Sequence, residues 1–166
     1  MCLHCEGFSE EEIERSQDLT IRIHGWLLQS VSDEEGVGWS YTVGLTESYG
    51  HPELICLDIA LDDQVQVIRW LADQVVATGR IDADAPQRGC IELLPVHRDH
   101  LATDLIATWL NRYDRVPEGD EFLQIVFNSC HFCEGHDHYL RLLDRPDVYT
   151  RGGYSAQLPN DEFDHE

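Results

Sequence analysis

The sequence Cys-x-x-Cys-Glu-Gly occurs twice in this chain, as CLHCEG at residues 2–7 and as CHFCEG at residues 130–135. Two cysteines separated by two residues can bind one metal ion from a single tight turn, and zinc prefers four such ligands in a tetrahedron. We therefore predict a structural zinc site that ties the two ends of one domain together. Its ligands are Cys2, Cys5, Cys130 and Cys133.

Other interpretations of the repeated motif stay open. A rubredoxin-like iron site has the same four ligands, and a Cys-x-x-Cys pair can instead act as a redox dithiol or form a disulfide. The cysteines can also be unrelated surface residues, and the histidines beside both motifs are alternative ligands. Four thiolates leave no open coordination position, which favours a structural over a catalytic metal. Cys56 and Cys90 lie inside strand patterns, so we expect them to be small buried apolar residues.

The composition is strongly acidic. The 166 residues carry a formal net charge of −21, with 32 acidic and 11 basic side chains, and every basic side chain is arginine. Such a charge repels nucleic acid and anionic membranes, so we expect neither as a partner, whereas a basic protein partner fits it. Salt adaptation, a GC-rich genome and simple solubility are the competing explanations. The lack of lysine excludes Schiff-base lysine chemistry and P-loop nucleotide hydrolysis.

Periodicity and capping signals predict the order helix, three strands, helix, strand, helix, strand. The first helix begins after Ser9, which opens a capping-box pattern, and it extends to about Leu19. Asp99 is expected to cap the third helix, whose inner side carries Leu101, Leu105, Ile106, Trp109 and Leu110. The strands are predicted at 26–33, 38–46, 53–59, 90–97 and 122–128, and the second helix at 63–78.

This order indicates a single α+β domain over residues 1–151. We expect a mixed or antiparallel sheet with helices packed on one side, and ends joined by the four-cysteine metal site. Residues 152–166 are expected to form an acidic C-terminal tail. No apolar run is long enough to cross a membrane, and the N-terminus lacks the basic and apolar segments of a secretory signal.

Three short segments resemble a known family. Gly25-Trp26, the stretch YTVGLT at 41–46 and the stretch GHPEL at 50–54 are similar to the DUF4262 family of uncharacterised bacterial and archaeal proteins. The resemblance covers roughly residues 2–128, is strong over 24–128 and is most specific around 39–54. It implies a cytoplasmic protein of about this size. It implies no activity.

The same stretch contains the candidate ligand-binding residues. His51 precedes Pro52 and is therefore held extended, and Glu53 follows two residues on. Tyr41, His51 and Glu53 are predicted to converge on one pocket, with Trp26 or Trp39 as an apolar wall. The alternative is a structural loop in which the polar side chains satisfy backbone groups.

Three functions are compatible with the sequence. The first is a zinc-stabilised accessory or binding protein. The second is a small enzyme that uses the pocket of Tyr41, His51 and Glu53. The third is an acidic immunity-type protein or nucleic-acid mimic. No Gly-rich phosphate loop, G-x-S-x-G elbow or H-E-x-x-H motif is present, so the enzyme interpretation has no independent support.

Overall fold

The computed structural model describes residues 6–32, 38–57, 59–81, 91–127 and residue 142. The helices are α1 Glu10–His24, α2 Leu45–Tyr49, α3 Leu61–Thr78, α4 Arg98–Leu101 and α5 Ala107–Tyr113. The strands are β1 Leu27–Ser32, β2 Gly38–Val43, β3 Glu53–Cys56, β4 Ile91–Pro95 and β5 Phe122–Phe127. Two 3₁₀ turns, Asp104–Ile106 and Gly119–Glu121, precede α5 and β5. No helix of the described residues is both long and apolar enough to cross a membrane.

The five strands form one mixed sheet in the order β1-β2-β3-β5-β4. β3 and β5 are parallel, and every other neighbouring pair is antiparallel. This confirms the α+β class and the mixed sheet. The strands predicted at 38–46 and 53–59 are neighbours in this sheet, since Tyr41 of β2 pairs with Ile55 of β3. The chain reverses between them through α2, where we predicted only a loop.

The prediction that the helices pack on one side of the sheet is wrong. β3 lies between two other strands and is buried along its whole length, so other elements must pack against both of its faces. On one face Ile55 packs in a cluster with Trp109 of α5. On the other face Leu54 and Cys56 pack with Ile68 and other residues of α3. Cys56 is thus the small buried residue that we expected, whereas Cys90 lies outside the described residues.

α1 begins as predicted and ends later. The Ser9 hydroxyl accepts a hydrogen bond from the Glu12 amide, and the Glu12 carboxylate accepts one from the Ser9 amide, which completes the capping box. The helix continues to His24, past the expected end at Leu19. It stops at Gly25, whose φ of 81° is a left-handed C-cap conformation.

The helix expected after Asp99 is divided into α4, a 3₁₀ turn and α5. Its cap is His97 rather than Asp99, because the His97 ring accepts from the Asp99 amide. Thr103 interrupts the helix: its backbone is extended and its hydroxyl accepts from the Leu105 amide, which starts a new turn. The inner residues are nevertheless those predicted. Leu101, Leu105, Ile106 and Trp109 are fully buried, and Leu110 is half-buried.

Candidate functional site

The predicted zinc ligands Cys2, Cys5, Cys130 and Cys133 lie outside the described residues, as does the predicted tail at 152–166. Within the described ranges, no group of three or more His, Cys, Asp or Glu side chains is arranged to hold a metal ion. The zinc site therefore stays a prediction.

The Glu53 carboxylate accepts four hydrogen bonds at the start of α2. Glu53 is the first residue of β3, and its side chain is fully buried. Oε1 accepts from the amides of Gly44 and Thr46 at 2.8 and 3.3 Å. Oε2 accepts from the Thr42 hydroxyl and the Leu45 amide at 2.7 and 3.2 Å. The side chain thus provides the acceptors that the first amides of a buried helix require.

Opposing effects act on the pKa of the Glu53 carboxyl. Burial raises this pKa, because removal from water disfavours the charged form. The hydrogen bonds from Thr42 and three backbone amides lower it, but burial is the larger effect, and the pKa lies above its ordinary value of 4.5. The folded protein therefore binds this proton more tightly than the unfolded chain does.

Thr42 and Gly44 allow the carboxylate to reach this position. The Thr42 hydroxyl donates to Glu53 and accepts from the Leu54 amide at 2.9 Å, so it lies between two strands where their backbones separate. Gly44 has a φ of 110°, and a Cβ there would lie 2.9 Å from the Gly25 carbonyl oxygen. The backbones of the two segments thus approach each other closely at Gly44.

The other two candidate residues have different partners. Tyr41 is only 1% exposed, and its hydroxyl accepts from the Thr108 amide in α5 at 3.1 Å. His51 is half-buried, and its Nδ1 is hydrogen-bonded to the Pro52 carbonyl oxygen at 2.7 Å. Burial lowers the pKa of the His51 ring. The Tyr41 hydroxyl and the His51 Nδ1 are thus both bonded to the protein backbone.

The structure does not bring Tyr41, His51 and Glu53 onto the shared concave surface that we expected. Within the described chain no hydrogen bond joins any two of them, and two of the three side chains are inaccessible to solvent. This arrangement supports the structural alternative. A ligand-binding role for the three residues stays a prediction.

An open cleft of about 890 Å³ lies elsewhere, between α1 and α5. Its lining combines five carboxylates and two guanidinium groups with the apolar side chains of Ile13 and Leu110. The carboxylates are those of Glu10, Glu11, Glu14, Asp18 and Asp114, and the guanidinium groups are those of Arg15 and Arg112. The cleft is therefore acidic, with a partly apolar wall.

Arg112 connects the two walls of this cleft. Its Nη1 pairs with Asp18 of α1, and its Nε and Nη2 donate to Glu47 of α2 at 3.2 and 3.3 Å. The Tyr113 hydroxyl donates to the same Glu47 carboxylate at 2.9 Å. The hydrogen bond from Arg112 lowers the pKa of the Asp18 carboxyl, so the pair stays ionised at neutral pH. One guanidinium group thus joins α1, α2 and α5.

The comparison with family models identifies the chain. The model described as a domain of unknown function (DUF4262) matches residues 20–150. Because this match covers most of the sequence, the chain belongs to that family. Neither the curated proteins nor the solved structures contain a match.

The first and last residues of the family match show which candidate site residues lie inside it and which lie before it. It begins inside α1, so Cys2, Cys5 and the acidic residues of the α1 wall lie before it. Arg112, Glu53, Cys130 and Cys133 lie within it. The resemblance expected from residue 2 onward is therefore shown from residue 20, and it extends past 128 to include the second cysteine pair.

Sequence reasoning missed residues in two hydrogen-bond networks, the one around Glu53 and the one around Arg112. Thr42 was assigned only to a strand face, although a threonine next to a Val-Gly strand end is well placed to bond a neighbouring carboxylate. Arg112 gave no signal, because Asp18 is 94 residues away in the chain and Glu47 is 65. Only the folded sheet brings these side chains together.

We predict that Glu53→Gln destabilises the fold most at low pH. The protonated Glu53 carboxyl has one donor hydrogen, whereas the glutamine amide has two, so the variant places one more donor among backbone N–H groups. An unsatisfied buried donor costs about 1–3 kcal/mol. Since the pKa of Glu53 is raised in the folded state, its contribution is complete below 4.5 and is lost as pH rises through the folded value. Urea unfolding of both proteins, from mildly acid to neutral pH, measures the difference.

The matched control is Glu10→Gln, an exposed carboxylate in the first turn of α1, for which we expect a change within about 0.5 kcal/mol. A cost of Glu53→Gln that grows with rising pH would contradict the prediction. It would mean that the hydrogen bonds to Glu53 lower its pKa by more than burial raises it.

Proposed function

We propose that this chain is a non-enzymatic binding or accessory protein whose α1–α5 cleft receives a basic segment of a partner protein. The observation that carries this proposal is the open acidic cleft. It lies apart from Tyr41, His51 and Glu53, none of which lines it.

The state of the candidate acid–base groups supports a binding role over catalysis. A general acid or base must come within hydrogen-bond reach of its substrate. The Glu53 carboxylate is fully buried, and its two oxygens already accept four hydrogen bonds. The Tyr41 hydroxyl is likewise buried against the Thr108 amide. A substrate would have to displace these structural bonds, which hold the start of α2 and of α5.

The charge of the cleft supports a basic occupant. Five carboxylates face only two guanidinium groups there, and the whole chain carries −21. Such a potential attracts cationic segments over a Debye length of about 8 Å at physiological salt and repels anionic ones. Ile13 and Leu110 offer apolar surface to the methylene stems of arginine or lysine side chains.

The proposal also includes a structural zinc site and a cellular compartment. We infer that Cys2, Cys5, Cys130 and Cys133 bind one structural zinc ion, on the strength of the repeated Cys-x-x-Cys-Glu-Gly motif. Free thiolates of this kind persist in a reducing compartment, which fits a cytoplasmic protein.

The cleft is tested by titrating a fluorescent hexa-arginine peptide and following anisotropy. We expect the double variant Glu10→Gln/Glu14→Gln to weaken binding about tenfold, because two cleft carboxylates are lost. The control Asp62→Asn/Asp63→Asn removes the same charge from exposed positions on α3, on the other face of the sheet, and should change the affinity less than about twofold. Equal weakening by both variants would mean that net charge, and not the cleft, attracts the peptide.

The zinc site is tested by elemental analysis and melting curves. We expect one zinc per chain, and a fall in melting temperature of about 10 °C on chelation, since a metal bound only by the folded state adds several kcal/mol to its stability. Cys130→Ser should melt at the lower temperature and show no further fall with chelator. Purified protein that lacks metal, or an unchanged curve after verified metal removal, would rule out a structural zinc.

A further inference from the structure

α1 is attached to the sheet mainly near its C-terminal end. Ile21 is its one buried residue, and Ile13, Gln17 and Thr20 are half-buried. All its other side chains are exposed. The first two turns of the helix therefore have little apolar contact to hold them against the rest of the protein.

The N-terminal turn of α1 is stabilised by contacts within the helix itself. Ser9 and Glu12 form the capping box at 2.9 and 3.3 Å, and both residues are exposed. These bonds do not depend on the cleft. At the other end, Gly25 is left-handed and a Cβ there would collide with the Tyr49 ring, so the helix turns into β1 through a single tightly packed glycine. The C-terminal turn of α1 is therefore fixed, and α1 can leave the cleft only by local opening of its N-terminal turns.

One ion pair holds the middle of α1 across the cleft. Arg112 is oriented by Glu47, which accepts from two of its nitrogens, and its remaining Nη1 faces Asp18. The Arg112 side chain is 21% exposed and the Asp18 side chain 55% exposed. The Glu47 side chain is 44% exposed, but it accepts two hydrogen bonds from Arg112 and one from Tyr113. The single bond to Asp18 is therefore the easier one to break.

We propose that the N-terminal part of α1, residues 10–20, opens by local unfolding, that the Asp18–Arg112 pair latches it over the cleft, and that a basic ligand promotes opening by competing with Arg112 for Asp18. This rests on the proposed function for the identity of the ligand, but the latch itself does not. A cation that enters the cleft finds Asp18 already paired. If it binds the same carboxylate, its charge lies beside the Arg112 guanidinium, and repulsion between the two cations weakens the Asp18–Arg112 pair.

The latch is tested in the free protein by hydrogen–deuterium exchange and mass spectrometry. We expect Asp18→Asn to raise the exchange rate of residues 10–20 about fivefold, because a short helix freed from tertiary contact frays. The matched variant Glu14→Gln also removes one carboxylate from the cleft side of α1, but Glu14 has no ion pair among the described residues, so its exchange should stay at the wild-type rate. Equal exchange in the two variants overturns the latch.

The second part of the experiment uses wild-type protein saturated with hexa-arginine. If the peptide displaces Arg112 from Asp18, exchange of residues 10–20 rises on binding, and the rise is absent in Asp18→Asn, which is already open. Peptide that binds while exchange of residues 10–20 falls or stays constant overturns opening by the ligand. Complete absence of peptide binding contradicts the proposed function, and the free-protein comparison then still decides whether the latch exists.

Discussion

A buried carboxylate organises the centre of this fold. Glu53 accepts from the Thr42 hydroxyl and from the amides of Gly44, Leu45 and Thr46, and all of these groups lie where β2 ends and α2 begins. Backbone donors in the interior need a partner, and the chain meets this need with one carboxyl side chain from the adjacent strand. The arrangement fixes the path from β2 into α2 relative to β3.

The surface features follow from the position of α2. Glu47 projects from this helix to Arg112, and Arg112 in turn pairs with Asp18 of α1. Tyr49, at the end of α2, lies against Gly25 where α1 ends. The short helix that Glu53 holds in place therefore sets two of the contacts that position α1, and with them the width of the acidic cleft. The interior anchor and the proposed binding surface are parts of one connected network.

The sequence predicts the elements of this fold better than its side-chain partners. Alternation located β2 and placed Tyr41 and Val43 on one face, where both pack in the same cluster. The helical period located α3, which ends at Gly79 in a left-handed conformation. Both signals come from residues that are close together in the sequence, so they can be recognised without knowing the fold. The interruption at Thr103 was missed because its hydroxyl cap competes with a helix pattern that is otherwise unbroken.

The candidate site was harder to predict, for a physical reason. His51 and Glu53 are two residues apart, and this spacing suggested a common pocket. Their partners depend on the backbone around them: Glu53 lies under the amides of α2, whereas His51 bonds to the carbonyl of Pro52. Residues that are far apart in the chain, such as Asp18 and Arg112, produce no periodic pattern in a single sequence. Their pairing could therefore not be predicted.

The most direct test of this account is amide exchange at Gly44, Leu45 and Thr46, followed residue by residue by NMR in wild type and in Glu53→Gln. If the carboxylate anchors the start of α2, the three amides exchange slowly in the wild type. In the variant they exchange at least about tenfold faster, while the amides of α3 change much less. Fast exchange in the wild type, or equal protection in both proteins, would contradict the central role assigned to Glu53.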